Sequence, residues 1–226
     1  MPPLTGVDAV VFDLDGTLLD RRLSFERFIR DQWQRFPQVL QSVDQASYVR
    51  AAIEFDANGY GPRRDLFVST VARFELPSEL AATLLRDYRA RFAATCVLFP
   101  DVVPTLTRLR AAGLRVGLIT NGSVRMQGSK LACLSLEPSF DAVLISDAEG
   151  VSKPDPEIFH RALGRLGTTA DRAVFVGDHP ELDVAGARGA GMRAVWRRDP
   201  SLSHTVQADA IVDEIGELLR LLGLER

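Results

Sequence analysis

The stretch VVFDLDGTLLD, residues 10–20, ends an apolar run with two aspartates one residue apart and then turns on Gly16-Thr17. Strand alternation puts Asp13 and Asp15 on one face and returns Leu14 to the core. Other polar groups stand at the ends of later apolar runs: Thr120-Asn121-Gly122, Lys153 in SKPDPEIF, Gly177-Asp178, and Asp183 five residues on. Singly, each has a plain structural explanation. Asp15-Gly16 makes a turn, Thr120-Asn121-Gly122 a turn or cap, Asp178 and Asp183 helix N-caps, and a lone lysine is a solvated charge. Together they bring carboxylates, a hydroxyl, turn amides and an ammonium to the carboxyl ends of successive strands, where an open parallel sheet binds its ligands. Lysine occurs only at Lys130 and Lys153 among 27 Lys+Arg. A compact ammonium fits among carboxylates where a planar guanidinium does not, which singles out Lys153; Lys130 receives no role.

The elements that must position these groups follow from hydrophobic pattern. Short apolar, β-branched runs at Val10–Leu14, Arg115–Ile119, Ala142–Ile145, Ala173–Val176 and Arg193–Trp196 read as buried strands. From Leu114 onward they alternate with helical stretches such as Asp155–Leu166 and Asp183–Ala190, and Asp209–Leu222 adds a short strand and helix. That rhythm predicts an α/β fold with a doubly wound, Rossmann-like parallel sheet. The interval from Leu14 to Arg115 is far longer than a crossover of about a dozen residues needs. Phe25, Phe28, Ile29, Trp33 and Phe36, and again Leu80, Leu84, Leu85, Tyr88 and Phe92, keep helical spacing there. Residues 18–95 therefore read as an inserted α-helical bundle, a cap on a core formed by residues 1–17 and 96–226.

Composition narrows the partners. The chain has 226 residues, 46% hydrophobic and 25% charged, with a formal net charge of -3. It offers no broad cationic surface for nucleic acid or anionic lipid, so an anion must be met locally. Two cysteines, Cys96 and Cys133, make no disulfide framework. With no export signal and no membrane-spanning run, a cytoplasmic protein is expected. Oligomeric state is not readable from the sequence.

DLDGTL (Asp13–Leu18), TNG (Thr120–Gly122), KPDP (Lys153–Pro156) and GDHPELD (Gly177–Asp183) resemble the four motifs of the haloacid dehalogenase superfamily, in its phosphatase-type members with a helical cap. The resemblance spans nearly the whole chain; the cap matches only in length and helical character. It implies a phosphate monoester hydrolase working through an aspartyl-phosphate, with a small phosphorylated metabolite as substrate. By that likeness Asp13 is the nucleophile and Asp15 the acid and base, its proton retained through the neighbouring carboxylates Asp13 and Asp178. Thr120, Asn121 and Lys153 would bind the transferring phosphoryl group. Mg2+ would be held by the Asp13 carboxylate, the Asp15 carbonyl and Asp178, with Asp183 behind them, acting through water or orienting Lys153. The family also suggests a cis Lys153-Pro154 bond. His179 could ligate, hydrogen-bond a phosphate or only pack, and the Pro180 that follows it suggests a turn.

Rival chemistries fit the residues less well. A 2-haloacid dehalogenase attacks carbon and needs no acid at Asp15. Phosphonate cleavage uses a cap lysine, and none lies between Leu18 and Thr95. Mutases carry an early cap histidine, whereas His160, His179 and His204 fall in the core. A non-enzymatic phosphoacceptor or binding protein would not need Asp15 to activate water. Arg21, Arg22, Arg63 and Arg64 could hold a second anionic group, but in so arginine-rich a chain they read as solvated surface.

Overall fold

In the computed structural model, residues 4–59, 61–199 and 206–224 are described; His204 and the side chain of Arg63 lie outside that description. β1 (Ala9–Phe12) is buried at every residue. So is β4 (Ala173–Gly177), introduced here with its neighbours β2 (Arg115–Thr120), β3 (Ala142–Ile145), β5 (Arg193–Arg197) and β6 (Ala210–Val212). Continuous apolar runs suit strands covered on both faces, which is the parallel case. All pair in parallel, in the order β3-β2-β1-β4-β5-β6. The connection out of β1 runs to one side and the chain later returns to its other side, so the direction of winding reverses between β1 and β4. A crevice opens at the carboxyl ends of such a pair.

The chain divides into two compact units, Met1–Leu19 with Leu98–Arg226, and Asp20–Val97. The junctions fall two residues later than the sequence boundaries because the linkers pair with the sheet unit: Leu19 bridges Leu98, and Phe99 N–H donates to the Leu18 carbonyl. Leu18 and Leu19 are fully buried there.

The insert holds α1 (Arg21–Arg35), α2 (Pro37–Leu40), α3 (Gln45–Asp56), α4 (Arg63–Arg73) and α5 (Leu80–Arg91). Phe25, Phe28, Tyr88 and Phe92 form its aromatic centre, with Tyr88 and Phe92 ring centroids 4.8 Å apart. Periodicity marks these helices, but not their polar interior. Gln32 is fully buried, donating to Asp87 Oδ2 and accepting from the Tyr48 hydroxyl, while Arg35 clamps Asp87. Arg21 departs from the solvated surface expected of it. It is buried, pairs with Asp56 at 2.8 Å and lies against the Phe25 and Phe92 rings, so it serves the insert's core.

Around the sheet stand α6 (Val102–Ala111), α7 (Val124–Cys133), α8 (Ser146–Glu149), α9 (Pro156–Leu166), α10 (Gly186–Gly189) and α11 (Glu217–Leu221). α9 shows how a helix is specified locally. Asp155 caps Glu157 N–H, Pro156 fits the first turn, Gly167 ends the helix in the left-handed region, and Ile158, Phe159, Ala162, Leu163 and Leu166 make one buried face. Phe159 meets Phe175 of β4 edge to face at 5.1 Å. Emptying either ring position would cost about 3–5 kcal/mol.

Candidate active site

Asp13 follows β1 directly, and its N–H donates to the Val176 carbonyl, extending the pairing with β4 by one residue. Asp178 follows β4. The two carboxylates thus project from the adjacent strands where the winding reverses. Two glycines make room for Asp178 and Asp183. Gly16 has φ +84°, and a β-carbon there would lie 2.2 Å from Asp178 Oδ2; one on Gly177 would lie 2.4 Å from the Asp183 side chain. The Asp-Gly and Gly-Asp pairs of the sequence are therefore packing requirements of the site as well as turns.

Asp183 arrives by a turn of unusual pitch. Residues 180–185, read as outside or at the start of a regular helix, form a π-helical turn leading into α10. Such turns re-aim side chains and concentrate at functional sites. His179 caps it, its Nδ1 accepting from Glu181 N–H and Leu182 N–H, so the imidazole holds the turn. The His179 N–H donates to Asp183 Oδ2, and Asp183 Oδ1 accepts from Lys153 Nζ at 2.6 Å. Lys153 Nζ also donates to Asp13 Oδ1 at 2.6 Å and lies 5.4 Å from the Phe175 ring centroid.

Lys153 is brought in by a loop that the Asn121 side chain braces on both sides. Asn121 Nδ2 donates to the Lys153 carbonyl, and Lys153 N–H donates to Asn121 Oδ1. The Lys153-Pro154 bond is cis. Lys153, Asp13, Asp178 and Asp183 are all nearly sealed from solvent.

The charges that these side chains bring together do not balance. One oxygen from each of Asp13, Asp178 and Asp183 lies within 4.8 Å of the other two, and the ammonium of Lys153 stands among them. Burial raises the Asp13 carboxyl to about 7, against the pull of Lys153 and with the help of Asp183 and Asp15. Burial likewise lifts Asp178 well above the carboxylate range, with Asp13 and Asp183 adding to it and Lys153 opposing. Burial disfavours the Lys153 ammonium, but Asp13 and Asp183 outweigh it and raise its pKa. Three carboxylates facing one ammonium carry a surplus of negative charge, and a hard, oxygen-seeking divalent cation fits that donor set.

Asp15 has neighbours that the sequence reading did not give it. Its two oxygens accept from Lys130 Nζ at 2.7 and 2.6 Å, and Oδ2 also accepts from Gln127 Nε2 at 2.9 Å. Gln127 Nε2 donates as well to Thr120 Oγ1 at the end of β2. Lys130, passed over as a residue without a role, is 4% exposed and Gln127 2%. Asp15 also acts on Asp13 through their like charges, so the carboxylate neighbour expected from the sequence is joined by an ammonium and an amide donor that the sequence reading did not include. The signal for Lys130 was present in the sequence, since lysine's scarcity applies equally to both lysines.

The chain matches known proteins over most of its length. The family model described as haloacid dehalogenase-like hydrolase matches residues 7–191. Glyceraldehyde 3-phosphate phosphatase of Pyrococcus furiosus is 30% identical, over 97% of this chain and 94% of its own. A HAD phosphatase from Thermococcus onnurineus is 29% identical with a TM-score of 0.66, over 97% of this chain and all of the other. A 2-haloacid dehalogenase from Pseudomonas syringae is also 29% identical with a TM-score of 0.60, over 96% and 98%. With four motifs gathered at the strand ends and a family model covering most of its length, the chain belongs to the haloacid dehalogenase-like hydrolases.

Proposed function

We propose that this hydrolase is a magnesium-dependent phosphatase that cleaves the monoester of a small phosphorylated metabolite through an aspartyl-phosphate on Asp13. The observation that carries the reading is the surplus of buried carboxylate around Lys153: a site built only to receive an organic acid would gain nothing from Asp178 and Asp183 beside Asp13. Mg2+, held by Asp13, the Asp15 carbonyl and Asp178, supplies the positive charge that lets phosphate oxygens lie against these carboxylates.

The chain's own residues do the rest. An Asp13 oxygen bonds to phosphorus as the ester P–O bond breaks, and the leaving oxygen takes a proton from Asp15. Asp15 then accepts a proton from water, whose oxygen attacks phosphorus and breaks the bond to Asp13, releasing inorganic phosphate and the free carboxylate. Thr120 Oγ1 and Asn121 N–H bind phosphoryl oxygens, and Lys153 offsets their charge while fixing the Asp13 oxygen it touches. Asp183 acts behind the metal ligands by orienting Lys153. Dehalogenation, the activity named for the Pseudomonas syringae relative, has no use for Asp15 in these steps.

The likeness to an enzyme named for glyceraldehyde 3-phosphate puts triose phosphates first among substrates to try. The sheet unit with residues 1–17 and 96–226 carries the chemistry, and residues 18–95 are the cap that selects substrate. Cys96 and Cys133, outside any disulfide, suit the cytoplasm, and a net charge of -3 disfavours a nucleic-acid or anionic-membrane partner. The test is a panel of metabolite phosphates with the purified protein and magnesium. Phosphate release that needs magnesium and disappears in Asp13→Asn supports the reading; release of halide from 2-haloacids with no phosphate release overturns it.

A further inference from the structure

α7 presents an unusual buried face. Its inward positions Gln127, Lys130 and Leu131 include an amide and an ammonium where a helix packed on a sheet ordinarily buries aliphatic groups. A buried ammonium is tolerated only when paired, and Lys130 is paired with both oxygens of Asp15, within 2.7 Å. Gln127, one turn earlier on the same face, uses its single amide nitrogen twice, toward Asp15 Oδ2 and Thr120 Oγ1. Ser123 caps α7 through Met126 N–H, and Asp147 accepts from Val124 N–H, so the first turn that carries this face is fixed at its start.

From this geometry we infer that Gln127 and Lys130 are positioning residues that aim the Asp15 carboxyl at the leaving oxygen and tie it to Thr120. The inference rests on the phosphatase reading, in which Asp15 handles the protons and Thr120 binds the phosphoryl group. Three donor contacts remove the rotation about the Asp15 side chain that would otherwise carry its oxygens away from the ester. The shared Gln127 amide keeps the acid–base group and the phosphoryl-binding hydroxyl in one register. The orientation of reacting groups is held by such outer partners, whose loss lowers activity about 10–100-fold.

A purely structural role for Lys130 would lower all activities together; a role exerted through Asp15 depends on the leaving group. An alkyl phosphate needs its leaving oxygen protonated, whereas para-nitrophenolate leaves without help, and kcat/KM reports the steps through the first P–O cleavage. With magnesium present, Lys130→Met is expected to reduce kcat/KM for an alkyl phosphate about 10–100-fold while para-nitrophenyl phosphate changes less than about threefold. In an Asp15→Asn background, the same substitution should have no further effect on either substrate. Equal losses on the two substrates, or a loss undiminished in the Asp15→Asn background, overturn the inference. If Lys130→Met does not fold, Lys130→Gln and Lys130→Arg carry the same comparison, the first losing the alkyl phosphate selectively and the second retaining part of it. Wild-type protein inactive on both substrates would instead remove the phosphatase reading beneath it.

Discussion

Gly16 and Lys153 are the positions where single atoms decide whether the carboxylates can meet. A side chain at Gly16 would have to adopt the left-handed region and displace Asp178. Gly16→Ala is expected to lower unfolding stability by about 1–3 kcal/mol from backbone strain alone and to raise the magnesium concentration needed for half-maximal activity. Thermal unfolding and a magnesium titration check it, and unchanged values in both would contradict the packing argument. Lys153→Met leaves Asp13 and Asp183 buried without their ammonium. Removing one partner of a buried ion pair costs about 3–5 kcal/mol. The loss, measured by denaturant titration of metal-free protein, should be smaller in mild acid, where the stranded carboxyls can take up protons. A loss that is the same in acid and at neutral pH would show that Lys153 is not what balances them.

Elements differ in how much of themselves they display in sequence. β1, β4 and α9 were legible because their buried faces are apolar and their ends carry Gly, Asp or Pro with a definite structural task. α7 was not, because its buried face is Gln127, Lys130 and Leu131, with Gly128 within it. Hydrophobic periodicity cannot report a polar face, and Gln127 and Lys130 stand more than a hundred residues from Asp15 in the chain. The π-helical turn was invisible for a related reason: its pitch is set by the His179 cap and the Asp183 contact, neither of which is a periodic signal. The four motifs were readable because each places a reactive residue beside a strand end; how Asn121 braces Lys153 depends on side-chain geometry that no spacing encodes. At this scale His179→Ala should cost about 1 kcal/mol as a lost cap. Activity should fall only modestly, since the backbone N–H that holds Asp183 remains. Calorimetry with steady-state kinetics checks both parts, and a collapse of activity in a protein of unchanged stability would give the imidazole a chemical role instead.

For the molecule as a whole, the carboxylate surplus links stability to pH and to metal. The Asp13 carboxyl is raised to about 7, above the value near 3.9 of an unfolded chain. Between those values the native state holds a proton that the unfolded state has released, so unfolding free energy falls as pH rises through that window. Lys153, raised in the native state, contributes stability that is full below about 10.5 and lost only above it, outside the window. Metal-free protein should therefore melt higher near about pH 5 than near about pH 8, and added magnesium should raise the midpoint more at about pH 8, because it binds deprotonated carboxylates. A midpoint that rises from acid to neutral pH without metal, or an equal magnesium gain at both, would contradict the charge argument. The covalent claim itself is tested most directly by acid-quenching the protein during turnover of a phosphate ester and mapping the modified peptide by mass spectrometry. The account predicts a phosphoryl group on Asp13, absent from Asp13→Asn; magnesium-dependent turnover with the phosphoryl group on another residue, or trapped on none, would contradict it.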